Sequence, residues 1–350
     1  MKTLRRLLQL FIFTIILSTA LPLSSSAAGS SKQTVQIITS DERQDDQPHL
    51  RRSSLGSVES GYYYKTLNSQ GKKIYKKLLK NKNSTKRVTV KLSKPVRITE
   101  SRAAFRAGKH WDNKKLTALD LVFLRTAHAL LDSNPDFYWL HTYGWTYSAR
   151  CVIYKTKVVV TVDRLTFRPV QVYKNAKKDF SAVKKKANSI ATSILQSRPD
   201  TSRYTTARLI YEYLAATVSY SYGYSSSSSP IFAPASALLD KYGHLSVCDG
   251  YSRAFKMLCD RCKVPCLYIP SDKYEHAWNM VQLENGVWYG VDVTWGDSND
   301  RYLSYEWFMY GRDTAQRYGH PINADFIFHN RAYGIKIPSL AATGILYEAS

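Results

Sequence analysis

The sequence predicts an α+β fold from three observations. Apolar residues recur at three- and four-residue steps from Cys248 to Cys262. Two runs rich in aromatic and β-branched residues, His276 to Leu283 and Val287 to Thr294, flank Glu284-Asn285-Gly286. Before them, two helical patterns are followed by two strand patterns.

The chain has 350 residues, enough for two domains at roughly 100–200 residues each. Lys2, Arg5 and Arg6 precede an apolar run from Leu7 to Leu23, and Ser24-Ser25-Ser26-Ala27-Ala28 supplies small residues for cleavage after Ala27 or Ala28. Residues 1–28 therefore read as a signal peptide, and the protein is expected to be secreted. An uncleaved anchor is the competing reading. Against it, the apolar run contains Pro22 and is shorter than the roughly 20 residues of a spanning helix. No later apolar run is long enough to span a bilayer, and the absence of Cys in this segment argues against a lipid anchor.

Residues 29–58 are polar and read as a flexible leader. Residues 59–182 read as a basic N-terminal α+β domain. In it a helix from about Tyr62 to Lys82 carries the stripe Tyr64, Leu67, Ile74, Tyr75, Leu78 and Leu79. A second helix is expected over Thr117 to Leu131, then strands over Phe137 to Tyr147 and Cys151 to Val162, the β-branched run Val158 to Val162 being buried. A Lys-rich helix, Phe180 to Gln196, and another around Leu209 to Thr217 lead into a catalytic domain over residues 183–350. Five consecutive serines, Ser225 to Ser229, read as a mobile edge of the cleft.

Charge is uneven. The chain has 50 Lys or Arg against 27 Asp or Glu, and between Gly61 and Lys115 the only acids are Glu100 and Asp112. Such a field favours anionic partners. For an exported protein these are anionic cell-wall polymers, acidic proteins or a membrane surface, and a solvated helix face is the plainer alternative. No nucleic-acid-binding motif is present, so nucleic acid is not expected as a partner.

Three short stretches carry the chemistry: Ser246-Val247-Cys248-Asp249-Gly250-Tyr251, His276-Ala277-Trp278-Asn279 and Val291-Asp292-Val293-Thr294-Trp295. A thiol near its free pKa is only slightly ionised at neutral pH, so an imidazole must take its proton and a carboxylate must hold that imidazole. Cys248 is expected as nucleophile, His276 as proton shuttle and Asp292 as the group that orients His276. Helical periodicity places Cys248 at a helix N-terminus, where backbone N–H groups favour thiolate and can receive an oxyanion. Asp249, Arg253, Lys256 and Asp260 lie off the apolar face, with Asp249 charging the first turn.

Glu284-Asn285-Gly286 suits a three-residue hairpin loop with Gly in the left-handed position. In that register Leu283 faces Val287, Trp278 faces Asp292 and His276 faces Thr294. His276 and Asp292 then become diagonal neighbours on one face, whereas a two-residue loop would put them on opposite faces.

These motifs, with the run Ala235 to Asp240 and Trp288-Tyr289, resemble the bacterial transglutaminase-like branch of the papain-type cysteine enzymes, most strongly over residues 200–310. The resemblance implies a core with the nucleophile on a helix N-terminus and its partners on an antiparallel sheet. It leaves open hydrolysis of amides, transfer of glutamine acyl groups to amines, and a non-enzymatic wall- or partner-binding role. We expect a cysteine-dependent enzyme acting on protein or peptide amides through a thioester, hydrolysis ahead of amine transfer, with no cofactor and no metal.

Tyr220, or Tyr222, is a candidate second oxyanion donor, and Trp278 and Trp295 are candidate walls of the substrate site. The other cysteines, Cys151, Cys259, Cys262 and Cys266, read as buried free thiols, with Cys262-Cys266 or Cys259-Cys266 bridges as alternatives. A zinc site at Cys259, Cys262 and Cys266 lacks an evident fourth ligand. Asp297 and Asp300 read as a solvated turn rather than a cation site.

Overall fold

The computed structural model describes residues 33–38, 60–134, 137–223, 229–271, 273–298, 302–323, 327–328, 331–332 and 336–346. The expected signal peptide, most of the leader, Ser225 to Ser228 and Asp300 lie outside them. In chain order the main elements begin with β1 (Gln33–Ile38), α1 (Ser60–Thr66), α2 (Ser69–Leu79), β2 (Val88–Ser101), α3 (Lys114–Ser133) and β3 (Leu140–Ile153). Next come β4 (Lys157–Gln171), α4 (Phe180–Ser197), α5 (Arg203–Thr217), α6 (Cys248–Arg261) and β5 (Cys266–Ser271). The last are β6 (His276–Gln282), β7 (Trp288–Val291), α7 (Val293–Gly296), β8 (Phe308–Tyr310) and α8 (Arg312–Tyr318).

This is the α+β class expected. The described residues divide into two compact units, those within Met1–Arg43, Thr89–Ala118 and Gly144–Phe167, and those within Gln44–Val88, Leu119–Tyr143 and Arg168–Ser350. A single cut near residue 182 does not separate them.

One four-stranded sheet has the order β1-β3-β4-β2. The leader is not all irregular, because Gln33–Ile38 pairs antiparallel with β3 from Gln33↔Ile153 to Ile38↔Ser148. Its β-branched run, Thr34-Val35 and Ile37-Ile38, favours strand over coil. In β2, buried Val88, Val90 and Leu92 alternate with exposed Thr89 and Lys91, a period-two pattern that the sequence reading missed. The next hairpin turns at Tyr154, whose N–H donates to Lys157 O at 2.8 Å, and not at Ser148 to Arg150. That turn has no Gly, Pro, Asn or Asp to mark it. Val158, Val159, Val160 and Val162 are buried, as their composition implied.

The helix expected over Tyr62 to Lys82 is broken at Asn68. Its side chain accepts from Gly71 N–H at 2.8 Å and caps a new helix, α2, so local capping overrides the longer periodicity. The observed α3 extends the expected helix at both ends, α4 matches its expected span to within one residue, and α5 starts at a Ser202 cap that accepts from Thr205 N–H at 3.1 Å.

The second four-stranded sheet is antiparallel, in the order β8-β7-β6-β5. The β6–β7 register is the one that the three-residue loop dictates: Asn279↔Val291, Met280↔Gly290, Val281↔Tyr289, Gln282↔Trp288. Leu283 N–H continues it to Val287 O at 3.1 Å, and Gly286 takes φ +78°. The ladder ends at Val291. Asp292 leaves the strand to cap α7, so Thr294 lies in a short helix and the expected His276–Thr294 pair does not form. Among the described residues no helix is long and apolar enough to cross a membrane.

Helix α6 packs against α4, α5, β5 and β6 and is buried from Cys248 through Asp260. Its charged residues are therefore not on a solvated face. Asp249 pairs with Arg253 at 3.4 Å and accepts from the Tyr268 hydroxyl, while Lys256 pairs with Asp260 at 2.5 Å. Burial pushes the Asp260 carboxyl up to about 7 despite Lys256.

Candidate active site

Cys248 is the first residue of α6, and Val247 before it brings no oxygen to cap the first-turn N–H groups. His276 is the first residue of β6. Two ties fix the helix against that strand: Ser252 Oγ donates to Ala277 O at 2.7 Å, and Asn279 Nδ2 donates to Ser252 O at 3.0 Å and to Leu267 O at 3.2 Å. The Asn of the His-Ala-Trp-Asn stretch thus holds the nucleophile's helix in place. Both Cys248 and His276 are 8 % exposed, shielded yet still reached by solvent.

The carboxylate is placed by the short turn after β7. Asp292 N–H donates to Trp307 O at 2.9 Å, and Asp292 Oδ1 accepts from Trp295 N–H at 3.0 Å. That leaves Oδ2 for His276 Nε2 at 2.6 Å. Cys248 lies close enough to His276 to raise its imidazole as well. Cys248, His276 and Asp292 are thus brought together in the expected sequence of contacts.

Electrostatics follow from this packing. Burial works against a charged imidazole, but Asp292, and Cys248 after it, push His276 up from 6.5 to about 10. Burial would also raise the Asp292 carboxyl, yet His276 and His320 hold it well below the usual carboxylate range. The site is built to keep an imidazolium beside a carboxylate.

His320 was not anticipated. Its Nε2 lies 2.9 Å from Asp292 Oδ2, so one carboxylate oxygen faces two imidazoles. The sequence does hold a local signal, since Gly319 with φ +69° and Pro321 mark a helix stop after α8. Nothing in that signal says where the ring points.

Of the expected walls, Trp278 is fully buried and stacks on His276 at 6.0 Å and 18°. Trp295 is 38 % exposed, and its ring centroid lies 5.6 Å from that of His276. Trp295 therefore sits at the surface over the imidazole, whereas Trp278 is a core residue behind it. Tyr220 is half-buried and lies on a two-residue strand pairing parallel with Leu245–Ser246, just before Cys248, its ring against Tyr222 at 5.0 Å. Asp297 accepts from the Tyr251 hydroxyl at 2.6 Å, which ties it to α6.

His276, Asp292 and His320 form a group whose ligand-type atoms lie within 4.8 Å of one another. Two ligands on one tetrahedral zinc stand about 3.3 Å apart at metal–nitrogen lengths of about 2.0 Å. The 2.6 and 2.9 Å separations here are hydrogen-bond lengths. Cys259, Cys262 and Cys266 form no such group among the described residues, and all five cysteines are free and buried.

Residues 188–293 match the family model of the Transglutaminase-like superfamily. No curated protein matches significantly. A solved structure described as "Crystal structure of a TGase" is similar at 11 % identity and a TM-score of 0.27, over 45 % of this chain and 46 % of that one. The chain thus spans less than half of that structure's length. The matched stretch holds Cys248, His276 and Asp292 on the helix, strand and turn described above.

Proposed function

We propose that the protein is a cysteine-dependent enzyme that acts on amide bonds of proteins or peptides through a thioester. The observation that carries this reading is the buried His276 between the Cys248 thiol and Asp292. His276 takes the thiol proton, and the thiolate attacks the amide carbonyl carbon. The oxyanion forms near the N-terminus of α6, where first-turn N–H groups and the helix dipole favour negative charge. His276 then protonates the leaving nitrogen, the C–N bond breaks, and the acyl group stays on sulfur. Water or a primary amine attacks the thioester, His276 removes the attacker's proton, and the thiol is restored.

Hydrolysis is the first outcome that we propose and transfer to an amine the second. We further propose that the protein is exported and held near anionic cell-wall polymers by its lysines. Lys73, Lys76, Lys77 and Lys80 of α2 and its C-terminal cap are exposed, which supports such contact. The test is incubation with a peptide library and a labelled primary amine, read by mass spectrometry, beside Cys248→Ala. Cleaved peptides mean hydrolysis and amine-labelled peptides mean transfer. No change in any peptide relative to Cys248→Ala would leave only a binding role for the scaffold.

A further inference from the structure

We infer that His320 is a positioning residue of the proposed machinery: it holds the Asp292 carboxylate so that His276 stays turned toward Cys248. The inference rests on the reading of Cys248, His276 and Asp292 as the acyl-transfer groups, and it adds a member that the matched stretch, ending at residue 293, does not contain.

The carboxylate of Asp292 is fully buried and receives three donors from three separate parts of the chain. Trp295 N–H reaches Oδ1 at 3.0 Å, His276 Nε2 reaches Oδ2 at 2.6 Å, and His320 Nε2 reaches the same Oδ2 at 2.9 Å. The Trp295 bond alone fixes one oxygen and leaves the carboxylate free to twist about it. A second donor on Oδ2, arriving from a different direction than His276, fixes the plane.

His320 is itself held firmly enough to serve. Its backbone N–H donates to Ala315 O at 2.8 Å as α8 closes at Gly319. Its Nδ1 lies 2.7 Å from Pro321 O and 3.3 Å from the Tyr310 hydroxyl. The Asp292 carboxylate is an acceptor, so Nε2 is the ring's donor in that contact. Aromatic rings close the remaining sides: Trp278 edge-on at 5.1 Å, Trp295 edge-on at 4.7 Å and Trp307 tilted at 5.3 Å. With 4 % of its surface exposed, His320 does not serve as a surface group. It places a second imidazole on the carboxylate oxygen that faces His276.

The experiment measures the rate at which iodoacetamide labels Cys248 at neutral pH in the full chain, by mass spectrometry, so no natural substrate is needed. His320→Phe removes the donor, His320→Asn is too short to reach Asp292, and His320→Gln can still donate to it. Each is made alone and with Asp292→Asn, and His276→Ala is the control for the underlying reading. We expect His320→Phe and His320→Asn to slow labelling about tenfold and His320→Gln less than about threefold. In the Asp292→Asn background the His320 variants should differ by less than about twofold, because their effect passes through that carboxylate.

If His320→Phe does not fold, as judged by circular dichroism, the contrast between Asn and Gln decides. Equal labelling by all His320 variants and wild type, or equal slowing in both backgrounds, overturns the role of His320. If His276→Ala leaves labelling unchanged, the underlying triad reading fails and this inference fails with it.

Discussion

Replacing Asp292 by Asn removes one charge and turns the Oδ2 acceptor that faces His276 and His320 into a donor, while its remaining oxygen can still accept from Trp295 N–H and preserve the cap of α7. What it removes is the partner that sustains the imidazolium. His276 is lifted from 6.5 to about 10, which at about 1.4 kcal/mol per pH unit is a differential interaction of roughly 5 kcal/mol. Asp292 is the larger contributor beside Cys248. Assigning it only half leaves roughly 2.5 kcal/mol, on the order of a 50- to 100-fold change in the proton affinity of His276.

The assay is Cys248 alkylation against pH, paired with thermal melts. A group whose folded value is raised stabilises the fold fully below its unfolded value and loses that contribution as pH rises through the folded value. For His276 the loss falls between about 6.5 and about 10. Asp292 is depressed, so its contribution is present above its ordinary 3.8 and fades as pH falls below it. The gap in Tm between wild type and Asp292→Asn should therefore be widest between about pH 4 and 6.5 and narrow toward about pH 10. Labelling at neutral pH should fall on the order of 50-fold in the variant. Unchanged labelling together with a pH-independent Tm gap would refute the claim that Asp292 acts by holding charge on His276.

Other consequences follow from the same packing. Among the thiols, Cys248 should be labelled first at mildly acidic pH, since burial pushes Cys151 and Cys262 up to about 11 and Cys259 well above its ordinary value; peptide mapping that finds another Cys ahead of it would contradict this. Gly290→Ala puts a Cβ 2.2 Å from Tyr310 Cζ, and that ring also touches His320, so we expect a loss of about 1–3 kcal/mol in denaturant unfolding together with slower Cys248 labelling. Reversing the charges of Lys73, Lys76, Lys77 and Lys80 should weaken retention on isolated cell walls, as should raising salt, because attraction between exposed charges is screened over about 10 Å at 0.1 M. Turnover of a small soluble substrate should not change in that variant.

Local rules carried much of the fold and the centre of the site. The hairpin register could be read because Gly286 supplies the left-handed turn residue and because strands alternate faces. The position of Cys248 at a helix start followed from periodicity. What escaped was decided by competition or by distance. Asp292 caps α7 instead of extending β7, since a side-chain bond to Trp295 N–H three residues on outcompetes another ladder pair. The pairs Asp249–Arg253 and Lys256–Asp260 have a readable four-residue spacing. Their burial does not show in the sequence, because periodicity reveals one apolar face and α6 is covered on more than one. His320 meets Asp292 across 28 residues, and no local rule links a helix stop to that carboxylate.

If Cys248 attacks with His276 as its base, it forms a covalent acyl-enzyme. Intact-mass spectrometry after brief exposure to a small activated acyl ester tests it directly. We expect one acyl increment, mapped to Cys248, that a primary amine or water discharges over time, and no increment on Cys248→Ala or, at neutral pH, on His276→Ala. An increment on another residue, or one on Cys248 that forms equally fast without His276, would contradict it.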